Sequence, residues 1–476
     1  MSVPLPTKSS SVERAPGFIA GLPLRIAVIY GLLFVIAFGM YTSIWREAPM
    51  VTGDSKGYLE AAQDLADGSI DQLNDRSPGF PLLLVLTRSV EHPKRILFYT
   101  SLVLYFATIW LLASILHAAR LSGKMLVGFC LLLLLPPYAE NTGYVMTENL
   151  AQFCLALSVA GLVFWFRKRN IIWLFVSALA IAYSGLTRPT YQVLAFVIAG
   201  WLLLLPVLYR HRQLKFKDMT VAGAVLIVVS VAMIGGYSYV NFRKFGYFGV
   251  TPRLGVHLST KTALFVERLP EQDAEVRELL VRARDRSLIG RGSSHTGTQY
   301  ILDVRPELQR QTGLAKADLS RYLERLNLTL IRRAPMEYLL SVTRSLAGYW
   351  LPSSGNLSIM NSRILQLLWA TLHFFVMGAF ALQLIVLAGV KLYEVSSHLV
   401  NRDDSPVAVL EAPTLPVLAY LLTGLIIFYT MILTCLIDVG DPRQRTADAL
   451  LVFMTLLGFL LWRNSLALQK RPSASP

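Results

Sequence analysis

The stretch of sequence that decides the fold is ILQLLWATLHFFVMGAFALQLIVLAGV, residues 364–390. It contains no Asp, Glu, Lys or Arg, and about 20 apolar residues in a helix cross the roughly 30 Å hydrocarbon core of a bilayer. Similar runs recur along the chain, whose residues are 54% hydrophobic and only 16% charged. This composition is more apolar than that of a soluble globular domain. The sequence therefore predicts an integral membrane protein.

The apolar runs predict the number and type of the spans. Backbone in lipid must be satisfied within a helix or a closed barrel, and these runs lack the alternation of barrel strands. We therefore predict an all-α polytopic membrane protein with about ten transmembrane helices, of which the third and the fifth are short. The predicted spans are 22–44, 96–117, 124–138, 146–166, 171–187, 190–209, 219–241, 364–390, 414–437 and 446–462.

Basic residues in the short loops predict the orientation, because Lys and Arg are retained on the cytoplasmic side of a membrane. They cluster at 120–124, 167–169 and 210–217 and in the tail 463–471, whereas the alternate loops at 139–145 and 188–189 offer only Arg188. Both termini are therefore expected in the cytoplasm. The compact loops and the lack of a retention signal favour a bacterial inner (plasma) membrane.

Two segments on the predicted outer face are long enough to build a site. We expect residues 1–241 to form a transmembrane catalytic core with a first outer loop at 45–95 that carries amphipathic helices. Residues 242–363 are expected to form a larger extracytoplasmic helical segment, and residues 364–476 the C-terminal transmembrane helices and a cytoplasmic tail. Within the large segment, Pro335 to Trp350 reads as an interfacial amphipathic helix with Tyr349 and Trp350 as aromatic anchors.

The net charge of +15 indicates which kinds of partner the protein can attract. Many of the basic residues lie in 242–363, and a basic surface beside a membrane suits phosphate-bearing lipids better than nucleic acid. A solvated surface is the plainer interpretation, because charge runs usually face water. The lipid bilayer is thus a predicted partner and nucleic acid is not.

The first outer loop carries an unusual combination of residues. Asp54 stands just past the first span, Tyr58 follows four residues later, and a short amphipathic stretch ends at Gly68. The sequence Arg-Ser-Pro-Gly-Phe-Pro follows at 76–81. This combination resembles the GT-C class of membrane glycosyltransferases, and within it the protein-mannosyltransferase and aminoarabinose-transferase type.

Four further motifs agree with this resemblance, and all fall on the predicted outer face. They are Thr147-Glu148 at the fourth span, Thr187-Arg188-Pro189, the stretch Asn241 to Gly246, and Asp441 to Arg445 before the last span, where Gln444 replaces an expected aromatic residue. The resemblance implies a GT-C-like core and a hexosyl or pentosyl donor carried on a polyprenyl phosphate. It also implies an acceptor hydroxyl on a glycan, a lipid or a protein.

The resemblance gives Asp54 the role of general base, which takes the proton of the acceptor hydroxyl in an inverting displacement. The plainer interpretation is an N-cap of the short helix that follows, since Asp is favoured at that position. Both roles are compatible in one residue.

The departing phosphate needs cations, and arginine binds phosphate in a bidentate fork. We expect Arg188 and Arg443 to bind substrate at the outer ends of spans. The remaining substrate-binding candidates are Tyr58, Arg76, Arg253, His257 and Arg445. For each arginine the plainer role is a contact with lipid headgroups.

Glu148 opens an apolar span, where an acid is costly and therefore needs a partner or a purpose. We expect it to act in catalysis by orienting the acceptor, or to pair with Arg188. A simple interaction with the helix dipole is the alternative. No cluster of His and Asp demands a metal, so no cofactor is expected. A divalent cation shared by Asp54 and Glu148 is the less favoured alternative.

The distribution of charge along the spans separates this class from other membrane proteins. A transporter or lipid flippase places charged groups near the midplane and breaks helices there. Here the span interiors carry almost no charge, and Gly235-Gly236 is the single expected helix break. An O-antigen ligase or polymerase would also have a large basic outer loop, but it would not depend on a first-loop Asp.

Overall fold

The computed structural model describes residues 24–44, 48–69, 75–209, 214–291, 300–352, 362–400, 414–438, 445 and 448–469. Throughout these ranges the regular elements are helices, apart from one isolated bridge between Met50 and Tyr144. The longer helices are α1 (Leu24–Ile44), α2 (Ser55–Ala66), α3 (Gly79–Leu86), α4 (Arg95–Ala118), α5 (Gly123–Leu133), α6 (Pro136–Ala139), α7 (Glu148–Lys168), α8 (Ile171–Thr187), α9 (Leu194–Leu208), α10 (Phe216–Ser230), α11 (Gly236–Phe245), α12 (Leu254–Thr262), α13 (Ala274–Arg291), α14 (Tyr300–Thr312), α15 (Lys316–Arg333), α16 (Pro335–Tyr349), α17 (Arg363–Val400), α18 (Leu415–Ile437) and α19 (Asp448–Gln469).

The described helices confirm the predicted fold class. Eight of them are long and apolar enough to cross a membrane. The segments Gly123–Leu133 and Pro136–Gly143 are bent by 63° and make a ninth crossing if they count as one span. Helix α8 is apolar but has only 17 residues, and with it the number reaches ten. These two exceptions are the third and fifth predicted spans, which were the short ones.

The expected helix break at Gly235-Gly236 was wrong. A π-helical turn at Val231–Gly235 joins α10 to α11 without interruption, so Phe216–Phe245 is one long helix. A π-turn accommodates an extra residue by widening the helix locally, so the backbone keeps its internal hydrogen bonds. Glycine therefore does not end the helix at this position.

Three hydrophobic cores organise the described residues, and the smallest joins α2 and α3 of the first loop to α4 and α7. The largest one fills the bundle formed by α1, α4, α5, α7 to α10 and α17 to α19. The second lies within the segment 242–363 and joins α12 to α15 through residues such as Val256, Leu280, Ile301 and Leu323. Because the second core has its own buried apolar residues, this segment forms a compact helical layer, as its amphipathic spacing indicates.

Close packing at Gly79 brings the first loop onto the bundle. A Cβ atom at Gly79 would lie 2.7 Å from the Thr187 hydroxyl oxygen and 2.9 Å from the Leu186 carbonyl oxygen, so a larger residue does not fit. Tyr183 of α8 donates a hydrogen bond of 2.8 Å to the Gly79 carbonyl. The start of α3 is thereby fixed against the end of α8, immediately before Arg188.

A second set of hydrogen bonds fixes the other end of the first loop. The Met50 amide donates to the Gly143 carbonyl at 2.8 Å, and the Val145 amide donates to the Met50 carbonyl at 3.1 Å. The Ser55 hydroxyl donates to the Val145 carbonyl at 2.9 Å. The start of α2, where Asp54 lies, is therefore held beside the start of α7, where Glu148 lies.

Helix α16 has the amphipathic pattern expected from the sequence. Met336, Leu339 and Leu340 are exposed along one side, and Ser341 and Ser345 are buried on another. Its location at a membrane interface stays a prediction. The prediction that Tyr349 is an anchor at the interface differs from the structure. Its side chain is fully buried, and its ring packs edge-on against Trp350.

Candidate active site

A cavity of about 510 Å³ lies where the first loop meets the ends of α7, α8 and α18 and the start of α12. Most of the site residues expected from the sequence line it: Asp54, Tyr58, Arg76, Glu148, Arg188, Arg253 and His257. These residues come from distant parts of the chain. The fold therefore collects at one place charges that the sequence shows only as separate motifs.

Asp54 faces an arginine rather than the helix that it precedes. Its carboxylate accepts a hydrogen bond of 2.7 Å from the Arg76 guanidinium, and it makes no capping bond to the backbone of α2. The Asp54 side chain is 53% exposed. The carboxylate is therefore accessible from the cavity and held by a neighbouring cation.

Arg76 is kept charged by its surroundings. Its guanidinium carbon lies 4.5 Å above the centre of the Tyr58 ring, within the range of a cation–π interaction. Gly57 leaves room for it, because a Cβ there would lie 2.9 Å from the Arg76 Nε. Burial alone would lower the pKa of Arg76, but Tyr58 and Asp54 outweigh burial and raise it. Arg76 thus carries a permanent positive charge beside Asp54.

Glu148 and Arg188 form a buried ion pair in the cavity wall. The Arg188 Nη1 lies 2.8 Å from the Glu148 Oε1, and it also donates a hydrogen bond of 3.1 Å to the Thr147 hydroxyl. The Glu148 side chain is only 6% exposed. The pairing expected for Glu148 is therefore present. The role of Glu148 towards an acceptor stays a prediction.

Arg253 is the cation of the cavity without a counter-ion among the described residues. Its Nε is buried and has no hydrogen-bond partner, and no described carboxylate lies within ion-pair distance. Burial and the like charge of Arg76 lower the pKa of Arg253 by more than Tyr58, Asp75 and Asp54 raise it. A buried cation with an unused donor is costly unless an anion binds to it. Arg253 therefore marks where an anionic ligand would be favoured.

His257 belongs to a small network that the sequence analysis did not anticipate. Its Nδ1 lies 2.8 Å from the Asp438 Oδ2, and the Thr260 hydroxyl donates to the Asp438 Oδ1 at 3.1 Å. All three residues line the cavity. Asp438 directly follows an apolar span, which is the same signal that singled out Glu148, so the sequence did contain a clue to it.

Asp75 is a second residue that sequence reasoning missed. It accepts two hydrogen bonds from Arg305 of α14, at 2.7 and 3.0 Å. Burial would raise the pKa of Asp75, but the hydrogen bonds and charge of Arg305 lower it below its ordinary value. Adjacent residues of the first loop therefore bind in two directions, Asp75 to α14 and Arg76 to Asp54.

A second cavity of about 410 Å³ adjoins the first. The two cavities share Asp54, Asp75, Arg76, Arg253 and Leu302 in their linings. The rest of the second lining is mostly polar or charged: Thr52, Gly53, Gly57, Glu60, Asp303, Arg305 and Lys316. Asp54 is therefore accessible from both cavities.

One expected arginine, Arg445, does not belong to this group, and another, Arg443, is not described. Arg445 does not line either cavity; its guanidinium is buried, pairs with Asp448 and donates to the carbonyls of Tyr349 and Leu351. Arg443 lies outside the described residues. Within the described part of the chain, no three His, Cys, Asp or Glu side chains are grouped as ligands of a metal ion.

Taken together, the fold and the site define a polytopic helical membrane protein with a charged cavity at one end of its bundle. No family model and no curated protein matches the sequence. Among solved structures, the chain is similar to the archaeal oligosaccharyltransferase AglB from Archaeoglobus fulgidus, determined in complex with an inhibitory peptide and a dolichol-phosphate. The TM-score is 0.48 and the identity 12%, over 94% of this chain and 52% of that chain. The chain thus spans about half the length of AglB, and a likeness at this level bears on neither the reaction nor the site residues.

Proposed function

We propose that the protein is a membrane glycosyltransferase that moves a sugar from a polyprenyl-phosphate donor to a hydroxyl group of an acceptor. The observation that carries the proposal is one cavity lined both by a carboxylate, that of Asp54, and by the guanidinium of Arg253, whose buried Nε has no hydrogen-bond partner and which makes no ion pair with a described residue. The first is a group that accepts a proton, and the second favours a phosphate.

The lipid part of the donor has an apolar approach to the same cavity. Leu433 and Ile437 at the end of the span α18 line it, as do Phe248 and Leu254, which are 65% and 43% exposed. Exposed apolar residues at the mouth of a charged cavity suit a ligand with a charged head and a hydrocarbon chain. A polyprenyl phosphate has this character.

The second cavity offers a separate place for the acceptor. Its polar lining suits a hydroxyl-bearing group that arrives from water, and it shares Asp54 with the donor cavity. An acceptor bound there would reach Asp54, the base of the proposed single displacement with inversion at the anomeric carbon.

The proposed reaction transfers one proton and one glycosyl group. Asp54 takes the proton of the acceptor hydroxyl while the acceptor oxygen bonds to the anomeric carbon. The bond from that carbon to the phosphate oxygen breaks, and both of its electrons go to the phosphate. Arg253 supplies positive charge to the departing phosphate, because a fixed cation stabilises a growing anion, and Arg188, which is paired with Glu148, lines the same cavity. Arg76 holds Asp54 in position.

The proposal extends to the membrane. The cavity end of the bundle carries Glu148 at the start of α7, and the opposite end of α7 carries Arg167, Lys168 and Arg169. By the retention of basic residues in the cytoplasm, the site would face the periplasm of a bacterial inner membrane and act in the cell envelope. Reporter fusions at the C-terminus and in 242–363 test this orientation.

Transfer assays with the full chain in nanodiscs test the proposed function. The donors are a panel of farnesyl-phosphate hexoses and pentoses, with farnesyl phosphate itself as a binding probe. We expect Asp54→Asn to bind farnesyl phosphate normally and to lose about 10²–10⁴-fold in transfer, the usual contribution of a general base. Asp64→Asn on α2, whose carboxylate lines neither cavity, is the matched control.

Arg253→Met tests the phosphate site. A charge-assisted hydrogen bond contributes about 1.5–3 kcal/mol, so we expect about 10–100-fold weaker binding of farnesyl phosphate.

Transfer by Asp54→Asn at the wild-type rate would exclude Asp54 as the base. Unchanged binding by Arg253→Met would exclude this cavity as the phosphate site.

A further inference from the structure

The cavity holds a histidine that the reaction described above does not use as an acid. His257 accompanies Arg253 on α12, one helical turn further along, and the His257 amide donates to the Arg253 carbonyl at 2.9 Å. Thr260 follows at the next turn, and all three side chains line the cavity. Residues with this spacing share one face of a helix. Arg253 and His257 are therefore separated by about 6 Å along the helix axis.

The partner of His257 fixes which ring nitrogen is available. A carboxylate only accepts hydrogen bonds, so the His257 Nδ1 donates its proton to Asp438, 2.8 Å away. The Thr260 hydroxyl donates to the His257 carbonyl at 2.6 Å and also lies 3.1 Å from the other Asp438 oxygen. The Nε2 has no hydrogen-bond partner among the described residues, and the ring is 34% exposed. This is an imidazole oriented by a carboxylate, with its second nitrogen available to a ligand.

We propose that His257 is the general acid that protonates the departing lipid phosphate, and that Asp438 and Thr260 position it. The inference rests on the proposed function. As the bond between the anomeric carbon and the phosphate oxygen breaks, the proton on Nε2 moves to a phosphate oxygen and leaves a neutral imidazole. Asp54 gains the acceptor proton in the same turnover, so the number of protons on the protein is unchanged, and exchange with water restores both groups.

The departing group is able to accept this proton. A phosphate monoester takes up its second proton at about pH 6, so a dianionic phosphate accepts a proton from an acid hydrogen-bonded to it. A carboxylate that holds the other ring nitrogen, as Asp438 does, orients an imidazole for such a transfer.

Other charged groups surround His257 and enter the design of the test. Asp438 faces it from the end of α18, and Arg253 lies one turn before it on α12. Glu148 and Arg188 line the same cavity from α7 and α8. Lys261 follows Thr260 on α12. Burial lowers the pKa of Lys261, and the negative charge of Asp438 opposes that shift. The described contacts of α15 and α16 with α12 involve neutral groups, for example Asn327 and Ser341.

Proton uptake on binding tests the proposal with farnesyl phosphate, which represents the leaving group. The full chain in nanodiscs is titrated calorimetrically at pH 7.5 in buffers of different ionisation enthalpy. At this pH the free phosphate is a dianion, and the proposed complex holds one further proton between a phosphate oxygen and the His257 Nε2, so the wild type should take up about one proton per ligand. Its affinity should then fall about tenfold per pH unit above this point.

Three variants complete the test. His257→Gln should take up close to no proton, and Asp438→Asn should take up less than the wild type, which keeps the test valid if one variant misfolds. His92→Gln, in the first loop and outside both cavities, should match the wild type. Lys261→Met should keep most of the uptake, since loss there would assign the proton to Lys261 instead.

The outcomes separate this inference from the proposed function. Uptake by His257→Gln equal to that of the wild type would overturn the general-acid role and leave the phosphate site intact. Failure of the wild type to bind farnesyl phosphate at any pH would overturn the proposed donor class itself. A purely structural role of the His257 and Asp438 pair would change melting temperature but not the number of protons taken up.

Discussion

The Arg188 guanidinium lies 2.8 Å from the Glu148 carboxylate, and the pair joins the end of α8 to the start of α7 in the wall of the cavity. Both residues border apolar spans, where a single charge is costly. The pair therefore gives each charge a partner at the point where the bundle meets the site. Each partner would be a buried, uncompensated charge without the other.

Removing Arg188 should cost more stability than removing both partners. Arg188→Met leaves the Glu148 carboxylate buried and unpaired, which we expect to destabilise the protein by about 3–5 kcal/mol. Adding Glu148→Gln should recover part of that loss. Melting temperatures of the two single variants and the double variant in detergent form the cycle. Strictly additive effects would show that the two charges do not interact.

Replacing Arg76 by lysine should lower transfer without abolishing donor binding. Lysine keeps the charge, but it has no planar guanidinium to stack on Tyr58 or to hold Asp54 in the same geometry. With a charge-assisted bond of about 1.5–3 kcal/mol at stake, we expect a fall in kcat of about tenfold or more. Arg95→Lys is the control, because Arg95 also lies above a ring, that of Tyr99, but outside both cavities. Equal kinetics of both variants would remove the positioning role of Arg76.

The bridge from Asp75 to Arg305 should make stability depend on pH in acid. The pKa of Asp75 in the folded protein is below its ordinary value of 3.8, because Arg305 outweighs burial. The stabilisation is therefore complete above about pH 3.8 and is lost as the pH falls through the folded pKa. We expect Asp75→Asn to melt lower than the wild type at pH 6, with the difference shrinking towards pH 3. A difference constant across this range would contradict the bridge, and Asp64→Asn provides the reference.

Lys261 should make stability rise with pH in alkali. Burial lowers the pKa of Lys261 from 10.5 to about 8, because the ammonium loses its water. Between these two values the unfolded chain holds a proton that the folded chain lacks, so the folded state gains stability as the pH rises. We expect the wild type to gain in melting temperature between pH 7.5 and 9.5 relative to Lys261→Met. Lys56→Met, at an exposed position on α2, should behave as the wild type does.

The sequence predicted the spans because hydrocarbon thickness sets the length of an apolar helix, and that rule needs no tertiary contact. It also singled out, as charged residues at the ends of spans, residues that the fold brings to one cavity, such as Glu148 and Arg188. The prediction was weakest where local helix geometry decided the outcome. The π-turn before Gly236 kept a helix continuous that glycine was expected to break, and Tyr349 was placed at a surface although it is buried.

The pairing of the charges was left to the tertiary structure. Asp75 binds Arg305 and His257 binds Asp438 across separations of 230 and 181 residues, and no local pattern encodes such distances. Arg253 has no ion-pair partner among the described residues, because the nearby carboxylates of Asp54 and Asp75 pair with Arg76 and Arg305 instead. This outcome also depends on the tertiary structure. The sequence by itself determined that charges gather at one end of a helical bundle. Only the packing of α12, α14 and the first loop decided which of them are neutralised and which remain for a ligand.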